Sequence, residues 1–244
     1  MNTQPEQVEN TSGGKVADPS ELVVSCFGKN LSEKFEIYSY RNAATILTGS
    51  FPMHFEEICK ALTAFKINTN MIRMPGGNKG PIAAYVDTLF SNDWVETQIQ
   101  ADLSVRLFPA RGTQKNLLAE WERKRFLDGH RIDFLKGRVA LDLEWNSKDQ
   151  TYDRDLSAFS AFYEAGAIDL GIILTRGSDL DNSYFRSLGN VLTKSGYPGK
   201  DLVVSKFGAS TTWMGKLLYR LDAGRNGGCP IIAIGITKKC IEHI

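Results

Sequence analysis

Two hydrophobic periods alternate along this chain, and together they outline its elements. From His54 to Phe65 the apolar residues Phe55, Ile58, Leu62 and Phe65 recur at spacings of three and four, which predicts an amphipathic helix. The same period predicts helices from near Arg41, over Ile82 to Phe90, over Gln114 to Arg125 (Leu117, Leu118 and Trp121 apolar), and from Asp155 to Glu164, stopped by Gly166. Further helices are expected at Tyr184 to Thr193 and at Thr212 to Leu221, the latter capped by Ser210 or Thr211. Strand signals lie at Leu22 to Phe27, Phe35 to Tyr40, Leu202 to Val204 and Pro230 to Ile236. Trp94 to Leu107 carries both periods and reads as a helix changing to a strand near Asp102. The run from Ala167 to Thr175 is continuously apolar, as in a strand buried on both faces. Strand, helix, strand in that order implies an α/β fold with a mixed sheet and a crossover helix.

Composition narrows the class. Residues 1 to 20 are polar and almost free of large apolar groups, so a disordered tail is expected there, followed by a single domain over 21–244. The formal net charge is only +1, so overall charge does not argue for a nucleic-acid partner. Cys26, Cys59, Cys229 and Cys240 form no CxxC pair, which argues against structural zinc and fits a reducing cytoplasm. No apolar run approaches the roughly 18 residues of a membrane span, and no signal peptide is recognisable, so a membrane partner is not expected.

The candidate chemistry lies in two apolar segments, Ile132 to Leu135 and Val139 to Glu144, with Lys136-Gly137-Arg138 as a tight turn between them. In the second, Val139, Leu141 and Leu143 alternate with Ala140, Asp142 and Glu144, which sets both acids on one strand face. Folding back brings Asp133 to Asp142. Two carboxylates suffice to anchor Mg²⁺, which usually keeps water and substrate phosphate in its other positions. Glu144 could then hold or deprotonate an attacking water, and Arg123, Lys124, Arg125, Arg131, Lys136 and Arg138 supply cations suited to a phosphate backbone. The same acids can also be read as exposed groups on an edge strand answering nearby Arg and Lys, and the basic residues 123–125 as the last turn of a helix. Other chemistries have less support. The histidines are His54, His130 and His243, none in HExxH, and His130 reads as a loop residue; no GxSxG elbow occurs, and the loop Pro75 to Pro81 lacks Walker spacing.

With those residues in place, the hairpin resembles the active-site motif of PD-(D/E)XK nucleases, and within them most resembles the BglII/BstYI-type restriction endonucleases. That group carries Gln or Glu, as at Glu144, where the wider superfamily has Lys. Phe35-Glu36-Ile37-Tyr38-Ser39-Tyr40-Arg41-Asn42-Ala43, then Ile46-Leu47 and the helix at Phe55, is similar to the family's opening, and Trp94-Val95-Glu96-Thr97-Gln98-Ile99 to the segment that brings a further polar residue, here Glu96, to the metal. The resemblance implies a restriction-endonuclease-like core with a mixed central sheet flanked by helices, and a catalytic core at about 94–175. It implies a cytoplasmic homodimer acting on double-stranded DNA with Mg²⁺, cutting both strands of a short palindrome to leave 5′-phosphates. Asp133, Asp142 and Leu143 are then assigned to the metal, and Asp133, Asp142, Glu144 and Glu96 to catalysis. Lys148 is a further candidate if the strand runs on past Asn146. Lys79, Arg131, Asn146, Lys148, Ser210, Thr211, Thr212, Arg225 and Asn226 are the expected DNA contacts. A repair or junction nuclease of the same superfamily and a non-catalytic DNA-binding protein are the alternative readings.

Overall fold

The computed structural model describes residues 16–76, 80–90, 92–110, 116–128 and 130–244. The expected tail falls mainly on residues 1–15, outside the described residues, whereas Asp18 joins the fold, accepting hydrogen bonds from Ser39 Oγ at 2.6 Å and the Asn42 amide at 2.8 Å. In chain order the elements are α1 (Ser20–Lys34), β1 (Phe35–Tyr40), α2 (Ala43–Ser50), α3 (Pro52–Ala64), β2 (Ile67–Asn68), α4 (Thr69–Arg73), α5 (Pro81–Asp87), β3 (Val95–Gln98), β4 (Ala101–Leu107), β5 (Ala119–Leu127), β6 (Arg131–Lys136) and β7 (Val139–Glu144). They continue with α6 (Thr151–Glu164), β8 (Leu170–Arg176), α7 (Asn182–Ser187), β9 (Asn190–Leu192), β10 (Pro198–Leu202), α8 (Val203–Lys206), α9 (Met214–Asp222), β11 (Ile231–Ile236) and β12 (Ile241–Glu242). Among the described residues no helix is long and apolar enough to cross a membrane.

The fold is a mixed α/β sandwich around a six-stranded sheet of order β1-β11-β8-β7-β6-β3. Its centre, β11-β8-β7, is parallel, and the crossover from β7 to β8 is α6, as the strand-helix-strand order predicts. Every residue of β8 and of β11 is buried, which explains their near-continuous apolar sequence. Phe35, Leu141, Ile172, Leu174 and Ile234 face α1, α2, α3 and α5 in one core. Ala140, Ile173 and Ala233 face α6 and α9 in the other, with Phe159, Leu217 and Leu221.

The hairpin forms with Phe134 opposite Leu141 and Lys136 opposite Val139, so Gly137 and Arg138 alone make the turn. Gly137 takes φ 53°, a left-handed conformation that glycine adopts without penalty. Glu57 of α3 fixes this turn from outside, accepting from Lys136 Nζ at 2.7 Å and from Trp94 Nε1 at 2.7 Å.

Several expectations are corrected. Leu22 to Phe27 lies in helix α1, because Val23, Phe27 and Leu31, spaced by four, share its buried face. The expected helix before Asp102 is instead strand β3, paired with β6 at the sheet edge. Gln114 to Arg125 does not form a helix in its described part. Its residues from Ala119 onward are strand β5, antiparallel to β4 with Leu103 opposite Arg123 and Val105 opposite Trp121, so no helix end underlies the basic run. The helix expected at Tyr184 to Thr193 is the short α7 followed by strand β9, and Leu202 ends β10 while Val203 and Val204 start α8. Helix α9 begins at Met214 after Trp213, without a side-chain cap from Ser210 or Thr211.

Candidate active site

Strand β7 lies inside the sheet, between β6 and β8, so its acids are not exposed groups on an edge strand. An edge pair answering surface cations would be solvated; instead Asp142 is 3% exposed and Glu144 6%. Both share the face of Ala140, turned toward α6. Where β6 and β7 part, beyond the Phe134–Leu141 pair, the Asp133 amide donates to Asp142 Oδ1 at 2.8 Å, and Asp133 Oδ2 accepts from the Leu143 amide at 2.9 Å. The two acids therefore close the parting strands with side chain-to-backbone bonds. Asp142 Oδ2 is buried without a hydrogen-bond partner in the described structure.

Glu144 is held by hydroxyls. Its Oε2 accepts from Thr151 Oγ1 at 3.0 Å, and its backbone carbonyl accepts from Thr175 Oγ1 at 2.7 Å, which in turn lies 2.6 Å from Tyr152 Oη. Arg154 Nη2 stands 3.9 Å from Glu144 Oε1 and 2.9 Å from Asp155 Oδ1. Burial, reinforced by the charges of Asp142, Glu144 and Glu96, pushes the Asp133 carboxyl up to about 6. Burial beside Glu144 and Asp142 likewise raises Asp155.

Asp133, Leu143, Glu144, Glu96, Asn146 and Ser147 line one cleft of about 830 Å³, whose other walls include Met71, Trp94, Lys206 and Phe207. Glu96, on β3 across from β6, is 64% exposed and sits 3.5 Å from Arg131. The donor set suits a hard divalent cation: crowded carboxylates, with Asp133 and Glu144 lining the cleft and Asp142 bonded to the Asp133 amide beside them. Asp133, Asp142 and the adjoining Leu143 are the residues that could hold it.

The other expected DNA contacts are placed unevenly. Strand β7 ends at Glu144, so Lys148 is not on it; Lys148 pairs instead with Thr211 in an isolated bridge. That bridge joins the loops 145–150 and 208–213, with the Thr212 amide on the Ser147 carbonyl at 2.9 Å and the Asp149 amide on the Ser210 carbonyl at 2.8 Å. Buried Arg176, its guanidinium 5.1 Å from the centroids of both Phe185 and Phe207, which stack on each other at 3.8 Å, anchors the second loop through the Thr212 carbonyl and Thr211 Oγ1. Lys148 and Ser210 are exposed on this double loop, whereas Thr212 is fully buried in it. Arg225 is exposed and pairs with Asp153; Asn226 is 2% exposed and donates to the Cys229 carbonyl, so its side chain closes its own turn and cannot reach a base. Lys79 lies outside the described residues.

Sequence reasoning missed Asp155, Thr151, Arg154 and the position of His130. Asp155 had a signal, since an acid stands on the buried stripe of α6 with Tyr152, Leu156 and Phe159. His130 had none, because its neighbours come from other elements.

A sequence profile described as "Restriction endonuclease BglII/BglIII" matches residues 35–236, most of the chain. No curated protein matches the chain.

Proposed function

We propose, since the chain belongs to the BglII/BglIII restriction endonuclease family and is accordingly a type II site-specific deoxyribonuclease, that it hydrolyses both strands of duplex DNA at a short palindromic site with Mg²⁺ and leaves 5′-phosphates. The observation that carries this reading is the burial of Asp142 and Glu144 on an interior strand, with Asp133 bonded across to Asp142. Burying carboxylates is costly unless something uses them. Asp133, Asp142 and Leu143 would hold the cation, which when bound offsets phosphate charge and helps activate water.

The remaining steps fall to the chain's own groups. Glu144, fixed by Thr151, orients a water toward phosphorus opposite the 3′ oxygen and takes its proton on the carboxylate. The new P–O bond forms as the P–O3′ bond breaks; the 3′ oxygen leaves with the bonding pair and takes a proton from solvent water, and the phosphate stays on the 5′ end. Glu96 faces the same cleft and supports the centre from β3. Arg131, Asn146, Lys148 and Ser210 present donors for phosphates and base edges, whereas the Thr211 hydroxyl already donates to the Gly208 carbonyl at 2.8 Å. Cutting both strands of a palindrome requires two such centres related by a two-fold axis, hence a homodimer.

Incubating the protein with a long duplex and Mg²⁺ tests the reading. Discrete bands ending in 5′-phosphates are expected, while preference for branched DNA, or no cutting with any divalent ion, would overturn it.

A further inference from the structure

The face of β7 turned toward α6 carries a second group of ligands, which has only Asp142 in common with the cleft site. His130, just ahead of β6, places Nε2 3.5 Å from Asp142 Oδ2 and Nδ1 4.0 Å from Asp155 Oδ1. One donor atom from each of the three lies within 4.8 Å of the other two. Their side chains are 9%, 5% and 1% exposed for His130, Asp142 and Asp155. The imidazole is walled by Phe159 and by Phe162, the latter 5.9 Å away between centroids, so water is largely kept off it.

Among the described residues, all three keep a buried atom with no hydrogen-bond partner: His130 Nε2, Asp142 Oδ2 and Asp155 Oδ2. Arg154 answers only Oδ1 of Asp155, at 2.9 and 3.1 Å. Orphaned polar atoms at this burial are destabilising and rare. The 3.5 Å separation is too long for an effective imidazole–carboxylate bond. A cation satisfies all three at once.

We propose that His130, Asp142 and Asp155 form a second divalent-cation site, behind the cleft and sharing Asp142 with it, whose nitrogen ligand selects a transition ion such as Zn²⁺, Co²⁺ or Mn²⁺ over Mg²⁺. Three protein ligands with a fourth position for water is a common zinc arrangement, and bonds of about 2.0–2.2 Å require the donors to close by on the order of 1 Å. An ion there pins Asp142 from its far side. The site rests on donor geometry and stands apart from the cleavage reaction.

The test is titration of ion-free full-length protein with Co²⁺, followed by visible absorption. The wild type is expected to develop the intense band of low-coordinate, imidazole-ligated cobalt, resistant to excess Mg²⁺. His130→Ala and Asp155→Asn should each weaken Co²⁺ binding at least tenfold. Should those variants fail to fold, X-ray absorption on the zinc-loaded wild type reads the site directly, and imidazole scattering is expected. Absence of the cobalt band, equal affinity in folded His130→Ala, or a zinc shell without imidazole would each overturn the proposal. A wild type that binds cobalt in this way but cuts no DNA with Mg²⁺ keeps this site and refutes the proposed reaction instead.

Discussion

Replacing Asp142 with Asn separates the charge of this residue from its shape. The variant keeps the side-chain volume and an oxygen for the Asp133 amide, now 2.8 Å from Oδ1, but removes one buried negative charge. A ligand oxygen of Asp155 lies within 4.8 Å of one on Asp142. At that separation two full charges repel by roughly 3 kcal/mol at an effective dielectric near 20, and Arg154 beside Asp155 offsets part of this; because burial beside Glu144 and Asp142 raises the Asp155 carboxyl, the comparison is made in alkaline buffer, where both acids are ionised. Without divalent ions, Asp142→Asn should therefore be the more stable protein, by about 1–2 kcal/mol, or roughly 2–8 °C in melting temperature at this chain length. With ions the order should reverse. A ligand at about 100 times its Kd stabilises the wild type by roughly 2.7 kcal/mol, and the variant should gain little. Cleavage should fall by at least about a thousandfold, corresponding to roughly 4 kcal/mol of lost transition-state stabilisation, while DNA binding in Ca²⁺ persists. Calorimetry in chelator and in Mg²⁺, with single-turnover cleavage alongside, reads all three quantities. A variant that melts below the wild type in chelator, keeps the wild-type response to Mg²⁺, or cuts at the normal rate would refute the reasoning.

Gly171→Ala should lower the melting temperature by several degrees, because an added Cβ meets Phe159 Cδ2 at 2.3 Å in the middle of the sheet and overpacking typically costs about 1–3 kcal/mol; an unchanged melting curve would show that α6 yields freely. Hydrogen bonds from Lys136 and then from Trp94 hold the Glu57 carboxyl below its usual range in the folded protein. Its stabilisation is therefore present above the unfolded-state value and lost as pH falls through the folded one, so Glu57→Gln should be less stable than the wild type at pH 7 and indistinguishable from it below about pH 3 in reversible denaturation. Arg176→Met keeps apolar bulk beside the stacked Phe185 and Phe207 rings but drops the bonds to Thr211 and Thr212; limited proteolysis should then cut within residues 208–213 faster than in the wild type, and an equal rate would show that the loop holds without it.

How far each element could be read from sequence follows from what surrounds it. Helix α3, strand β8 and the β6–β7 hairpin were legible because each packs a face against the core, and burial imposes its period on the residues. The β4–β5 pair was not. Leu103, Leu107, Leu117, Leu118 and Trp121 are all exposed, so no core selects one period over the other, and cross-strand pairing decides in favour of a hairpin. Helix α1 hid behind the β-prone run Leu22-Val23-Val24, although Val23, Phe27 and Leu31 carry the helical spacing. At the site, local spacing located Asp133, Asp142 and Glu144, since two strands and a two-residue turn bring them together. Their surroundings come from α6 and from the segment before β6, which only the tertiary fold assembles.

Those surroundings also bear on the role proposed for Glu144. A carboxylate on an interior strand needs partners to remain there, and a strong ion pair would neutralise it as a proton acceptor. Its partners here are a neutral hydroxyl, Thr151, on the side chain and another, Thr175, on the backbone, itself held by Tyr152. The nearby guanidinium, Arg154, makes its shorter contacts with Asp155 and stands 3.9 Å from Glu144. Neutral hydrogen bonds fix the orientation of Glu144, as the proposed positioning of a water requires, and α6 brings a cation to the neighbourhood without placing one in the motif.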